Sequence, residues 1–457
     1  MNSTNAFALR SQCVLVDGNF IAATLIIRDG KIDEILDSTA SIPEGMNLED
    51  LGEKSILPGL VDTHVHINEP GRTEWEGFNT ATQAAAAGGI TTVVDMPLNC
   101  SPVTTTADSL RQKLDSLEGK LWIDCGFWGG VVPANLDDLD ELILAGVLGV
   151  KSFTIHSGID EFPQVHPEHL SRAIRTLAKY NVPYLIHAEL DKHETEPASI
   201  GDQYQSFLKS RPKSWENDAI DMMIELAREA KNEGHEGKVH IVHLSSAEAI
   251  PAIKSAQEEG LQLSAESCPH YLTLFAETIP DGKTLYKCCP PIREDENRQA
   301  LWQGLADGTI EFIVSDHSPC TPALKHIDTG DIEHAWGGIS SLQFGLSIIW
   351  SEAAERGYSL AQVIDWMATR PAIFAGLGER KGKIAPGFDA DLIVFDPDDS
   401  YTITTEMIKY RHKITPYEGR KVNGVVLSSY VRGHKVYEDG ELLGTPKGHP
   451  LLKKNAE

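Results

Sequence analysis

Gly59-Leu-Val-Asp-Thr-His-Val-His-Ile-Asn68 is an apolar run that ends in two histidines. Pro58-Gly59 marks its start, and Val61 and Val65 suit a buried sheet face. Residues two apart in a strand point to the same side, so His64 and His66 aim two imidazoles at one point. H-x-H alone also arises as ordinary polar residues at a strand end. Its meaning depends on what surrounds it.

From Pro58 onward, short apolar runs alternate with helical stretches. The candidate strands are 60–66, 90–95, 122–128, 148–153, 183–187, 239–244, 261–267 and 311–316. Helices are expected at 80–87, closed by Gly88-Gly89, and at 213–231, where Ala219, Ile220, Met223, Ile224 and Ala227 recur at helical spacing. A third is expected at 246–259, with Ser246 as N-cap and Gly260 beyond its end. Strands alternating with helices imply a parallel sheet, and eight repeats imply an α/β fold of the (β/α)8 barrel type over 58–377. That span exceeds the roughly 250 residues typical of the fold, which leaves room for loop insertions.

The flanks read differently. Residues 12–36 alternate β-prone runs with Asp-Gly at 17–18 and 29–30, a hairpin signal because both turn positions want positive φ. Residues 40–54 are polar and poorly patterned, and read as a connection. After Pro371, 387–396 and 425–437 are strand-like, with Asp439-Gly440 as another turn. Residues 1–57 and 378–457 are therefore expected to form a small β-sandwich from both chain ends, with 449–457 as a loose tail or a contact segment.

Composition narrows the partners. A formal net charge of −27 over 457 residues argues against nucleic acid and anionic membrane, which both need a basic face. No apolar run approaches the roughly 18 residues of a membrane span, and the first twenty residues lack a signal-peptide pattern. Seven cysteines without a C-x-x-C pair suggest free thiols in a reducing compartment, the cytoplasm.

Barrels of this type collect functional groups at the C-terminal ends of their strands. Those ends carry His64 and His66 on the first run, Lys151 on the fourth, His187 on the fifth, His243 on the sixth and Asp316 on the eighth. Singly, each has a plain reading: a core histidine, a snorkelling lysine, a helix-capping aspartate. Six at one end of one barrel are hard to explain that way. Neutral imidazole and carboxylate suit a first-row divalent metal, zinc being the commonest. Protonated lysine has no lone pair to give. Buried lysine loses its proton readily, however, and the amine can add carbon dioxide to form a carbamate. Its two oxygens could bridge two metals about 3.5–4 Å apart.

These residues, with Asp62 ahead of the pair, resemble the amidohydrolase superfamily in its binuclear cyclic-amidase branch. The resemblance runs from Leu57-Pro58-Gly59 to Gly387-Phe-Asp-Ala-Asp-Leu392, nearly the whole chain. Within that branch the chain is most similar to the allantoinase family. The supporting stretches are the residues from His64 to Phe78, Asp95-Met-Pro-Leu-Asn99, Glu266-Ser-Cys-Pro-His-Tyr271, Lys287-Cys-Cys-Pro-Pro-Ile-Arg293, Ser315-Asp-His-Ser-Pro-Cys320 and Trp336-Gly-Gly-Ile339. The resemblance implies two divalent metal ions. His64, His66 and Asp316 would hold the more buried ion, His187 and His243 the second, and carboxylated Lys151 would bridge them. It also implies a hydroxide nucleophile, Asp316 as proton carrier, hydrolysis of the ring amide of (S)-allantoin, and often a homotetramer.

The alternatives turn on a few positions. Dihydroorotases of the family show H-x-H-x-R, with the arginine on the substrate carboxylate; this chain has Asn68 there, which favours a small neutral cyclic ureide. Arg72 could substitute, unless Glu69, Glu74 or Glu76 occupies its charge. Hydantoinases and dihydropyrimidinases carry an aromatic shield after the strand-four lysine; here Phe153 is the nearby aromatic, and it reads as barrel core. A non-catalytic scaffold of the same fold would have lost ligands that this chain keeps. Main-chain groups around Cys289 and Gly338 are candidates for the ring imide, and Asn99, His317 and Ser318 for the ureido arm. Asp62 reads as a support to the ligands or as packing. His270 and Trp336 read as mouth residues or packing, and His156, His166 and His193 as solvated loop residues.

Overall fold

Eight parallel strands close into a barrel in the computed structural model, which describes residues 6–192 and 199–453. His193 lies outside the described residues. Leu60–Val65 pairs with Ile90–Asp95, which pairs with Asp124–Phe127. Gly129–Gly130 continues the third strand and pairs with Val150–Phe153. Pro183–His187, Lys238–Ile241, Leu263–Ser267 and Phe312–Ile313 follow in order. A parallel bridge between Val65 and His317 completes the ring, where the His66 N–H donates to the His317 carbonyl at 2.8 Å. The strands are buried almost throughout, as expected for a parallel sheet covered on both faces. Close approach of the first two strands requires Gly59, since a Cβ there would lie 2.1 Å from Thr91 Oγ1.

The surrounding helices follow the apolar periodicity. Lys213–Asn232 buries Ala219, Ile220, Met223, Ile224 and Ala227 on one face. The helix expected from Ser246 instead begins with a 3-10 turn, Ala247–Ala249, before Ile250–Glu258. Ser246 does not cap it: its hydroxyl donates to Asn217 Oδ1 at 2.8 Å, and its N–H donates to Glu216.

A second sheet gathers strands from both chain ends. Its ladder runs Glu441–Leu442, His434–Glu438, Lys421–Val431, Leu392–Thr402, Ser55–Pro58, Phe7–Val16, Asn19–Arg28 and Lys31–Asp37. The two ends meet where Ser55–Pro58 runs antiparallel to the start of Leu392–Thr402. Asp17-Gly18 and Asp29-Gly30 both adopt positive φ, the hairpin geometry that their sequence favours. The stretch read as an unpatterned connection contains a ninth strand, Asn47–Asp50, parallel to Phe7–Arg10. Its sequence, Asn-Leu-Glu-Asp, carries no apolar alternation, so backbone pairing defines the strand, with Glu49 also held by Lys435 and Tyr430. Near the C-terminus, Pro450–Leu451 adds to the barrel strand at Cys125–Gly126, with Leu451 buried. Among the described residues, no helix is long and apolar enough to cross a membrane.

Charge locks the second sheet to the barrel. The buried Lys381 ammonium lies 2.6 Å from Asp124 and from Asp391, and 3.0 Å from Asp389. Asp124 sits on the third barrel strand and also accepts from the Arg432 guanidinium and the His449 N–H. Three carboxylates in low dielectric need this cation, so the acidic cluster is already filled. Lys381→Met is expected to lower stability by about 3–5 kcal/mol, the cost of uncompensated buried charge. Urea unfolding checks this; an unchanged midpoint would contradict it.

Candidate metal centre and substrate cavity

The six strand-end groups meet at the barrel mouth. His64 Nε2 lies 3.0 Å from Lys151 Nζ and 3.2 Å from Asp316 Oδ1, and His66 Nε2 lies 3.6 Å from the same oxygen. On the other side, His187 Nδ1 lies 3.0 Å from His243 Nε2. His243 and Asp316 take positive φ, 38° and 44°, which few non-glycine residues adopt and which clusters at functional sites.

Burial dominates the electrostatics. It drives His64, His66 and His243 well below the usual histidine range and also lowers His187, so the imidazoles are neutral near pH 7. It pushes the Lys151 amine down to about 8, against the pull of Asp316 and Glu266. It pushes the Asp316 carboxyl up to about 7, against Lys151. The imidazoles have lone pairs available, and the lysine beside them loses its proton more readily than usual. His64, His66 and Asp316 also place their ligand atoms within 4.8 Å of one another.

Two carboxylates orient the imidazoles. Glu266, at the end of the seventh strand, lies 2.5 Å from His64 Nδ1 and 3.1 Å from His240 Nε2. Glu189 lies 2.8 Å from His187 Nε2. For His64 and His187 the contact leaves the opposite ring nitrogen facing the centre, whereas His240 Nδ1 lies 2.7 Å from Ser264 Oγ. Asp62 accepts from the His64 N–H at 3.1 Å and the Ser315 N–H at 3.2 Å, fastening the first strand to the eighth.

A cavity of about 260 Å³ opens over these groups. Its lining includes His66, Lys151, His187, His243 and Asp316, and also Asn99, Cys289, Ser318 and Gly338. Asn99 Oδ1 is buried there without a hydrogen-bond partner among the described residues. Gly338 forms a tight wall, because a Cβ would lie 2.2 Å from the Ser318 carbonyl oxygen. Its N–H donates to the Lys287 carbonyl at 2.8 Å, so this donor is not available to a ring imide as expected.

Other positions also differ from the sequence reading. His317 faces away from the cavity: its Nε2 lies 3.3 Å from Glu76, and its Nδ1 accepts from the Ser341 and Leu342 N–H groups. It is therefore not an arm contact. Phe153 is more than barrel core; it stacks on His187 with centroids 4.4 Å apart and lines the cavity. The Asn68 amide donates to the Pro319 carbonyl at 3.2 Å. Arg72 pairs with Glu161 rather than with the nearer glutamates. His270 is fully buried outside the lining, with both ring nitrogens unpartnered among the described residues. His156, exposed, stands at the cavity rim, and Trp336 lines the wall while packing on Trp75.

Sequence reasoning missed Glu189, Arg211, Lys287 and Lys325, and gave Glu266 no role. Glu189 lies two residues beyond His187, and Glu266 ends the seventh strand, so strand alternation could have marked both. Lys325 has no such signal. Its buried amine, pushed down to about 8 by burial, donates to the carbonyls of Lys287, Trp336 and Gly338. One side chain thus ties two walls of the cavity.

The family model for the amidohydrolase family matches residues 55–436. An allantoinase of Streptomyces avermitilis is 47% identical, over 98% of both chains. An allantoinase of Saccharomyces cerevisiae is 45% identical over 97% of this chain and 98% of its own. Among solved structures, an L-hydantoinase (dihydropyrimidinase) from Arthrobacter aurescens superposes with a TM-score of 0.91 at 27% identity, covering 98% of this chain and 99% of its own. The chain belongs to the amidohydrolase family, and within it to the group of the allantoinases.

Lys325→Met is expected to remove the amine from three carbonyls, leaving the Lys287 carbonyl only the Gly338 N–H among the described residues, and to loosen both walls. Hydrogen exchange should accelerate at 287–289 and 336–339 while the barrel strands stay protected. Unchanged exchange there would show that the lysine does not hold the walls.

Proposed function

We propose that the chain is an allantoinase, hydrolysing the ring amide of (S)-allantoin, a small neutral cyclic ureide, to allantoate. The observation that carries this reading is the set of four imidazoles, an amine and a carboxylate converging under a cavity of about 260 Å³. Similarity to allantoinases of bacterial and fungal origin supports it. We assign His64, His66 and Asp316 to one divalent ion and His187 and His243 to the second, with carboxylated Lys151 between them and zinc as the ion. The donor set fits: four neutral imidazoles, two of them oriented by Glu266 and Glu189, beside a lysine whose amine burial makes easy to deprotonate. When bound, such ions polarise a carbonyl and lower the pKa of water.

The chain's own groups do the rest. Asp316 stands beside the ring position and can accept a proton, then pass it to the departing ring nitrogen. Asn99 Oδ1 accepts a substrate N–H, and Cys289 and Ser318 flank the ring. Phe153, stacked on His187, covers one side and keeps water from that wall. Seven free thiols suit a reducing compartment, the cytoplasm. A second reading, a hydantoinase or dihydropyrimidinase, draws on the likeness to the Arthrobacter aurescens structure.

A panel of allantoin, hydantoin, dihydrouracil and dihydroorotate separates the readings. Allantoin is expected to give the highest kcat/KM; a better turnover of any other ring would overturn the assignment. Lys151→Ala is expected to lose bound metal and more activity than the roughly 10–100-fold that outer partners cost. Elemental analysis and assay of the same sample check this, and full metal content would contradict it.

A further inference from the structure

Arg211, at the end of the helix Tyr204–Ser210, reaches the cavity wall. Its Nε donates to Glu189 Oε1 at 3.1 Å, and its Nη2 donates to Glu189 Oε2. The guanidinium carbon lies 5.5 Å from the centre of the Trp215 ring. Glu189 Oε2, the oxygen that Arg211 Nη2 reaches, also lies 2.8 Å from His187 Nε2. Among the described residues, Arg211 Nη1 has no hydrogen-bond partner.

This arrangement constrains what Arg211 can recognise. A guanidinium only donates, so its partner in the cavity must be an acceptor. Its charge is already matched by a two-point contact with a fully buried carboxylate, so the pair offers directed N–H groups without net positive charge. A buried anion would need an uncompensated cation; a neutral carbonyl oxygen needs only the donors. Glu189 stands between Arg211 and His187, so the guanidinium lines the cavity one side chain away from the proposed ion ligand, suited to a part of the substrate other than the ring at the ions.

We propose that Arg211 is a specificity-determining residue that donates to the carbonyl oxygen of the substrate's ureido arm. The inference rests on the allantoin reading above. It makes the arm, rather than the ring, the feature that separates this cavity from one shaped for plain hydantoins.

The test uses the metal-loaded full chain, as wild type, Arg211→Met and Arg211→Lys. KM and kcat are measured for allantoin, and hydantoin and dihydroorotate are measured as competitive inhibitors, with bound metal and melting temperature read on each sample. Arg211→Met is expected to raise KM for allantoin about tenfold or more, with kcat changing less and the hydantoin inhibition constant staying within about twofold, since one hydrogen bond to a charged donor is lost. Metal content should not change in Arg211→Lys, which keeps a cation on Glu189, whereas Arg211→Met leaves that buried carboxylate unmatched beside His187 and is compared with wild type at equal metal occupancy. Arg211→Lys should recover only part of the affinity, because a point charge cannot reproduce the planar fork. If Arg211→Met does not fold, the lysine variant carries the same comparison between allantoin and hydantoin. Three results would overturn the inference: equal weakening of both ligands, loss of metal from Arg211→Lys, or tight dihydroorotate binding that depends on Arg211. Wild-type protein that does not turn over allantoin would sink the parent reading and this inference with it; turnover with equal weakening sinks the inference alone.

Discussion

The Asp62 carboxylate, holding the N–H groups of His64 and Ser315, is the constraint on which the centre depends. It fastens the first barrel strand to the eighth, and the His66 N–H on the His317 carbonyl completes the seam. Closure at that seam puts Asp316 within 3.6 Å of both His64 and His66. The same seam turns His317 outward, onto Glu76 and the Ser341 N–H. Fold and site are thus set by one set of backbone contacts.

Electrostatics explains how so many buried charges coexist in a chain with net charge −27. Several interior charges come matched: Lys381 with three aspartates, Arg293 with Glu216 and Lys113 with Asp95 away from the centre, and Arg211 with Glu189 at its edge. At the mouth, neutral imidazoles, a lysine lowered by burial and a carboxyl raised by burial face each other without such matching. A group of this kind is where perturbed titration points to function rather than to structure. The cyclic-amide chemistry proposed for the chain uses a place where the fold gathers donors that it leaves unspent.

The barrel was legible because each strand is a short apolar run closed by a polar end, and the observed strands lie within a few residues of the runs. The six converging groups were legible for the same reason. What stayed hidden had physical causes. Asn47–Asp50 is a strand through backbone pairing, with no apolar alternation to reveal it. His317 follows Asp316, so period-two alternation already sends its side chain to the opposite face. Phe153 follows Lys151 by two and Glu189 follows His187 by two, which puts both toward the mouth. The alternation that sets His64 and His66 on one side extends to these two as well. Arg211 and Lys325 come from a helix end and a loop, where no periodicity operates, and only the folded chain brings them to the cavity.

The central claim is that these strand ends form a two-ion centre joined through Lys151. Anomalous diffraction from crystals of the metal-loaded protein tests it most directly. The account predicts two peaks, one against His64, His66 and Asp316 and one against His187 and His243, with added density on Lys151 Nζ between them. A single peak, or peaks elsewhere beside an unmodified lysine, would contradict it.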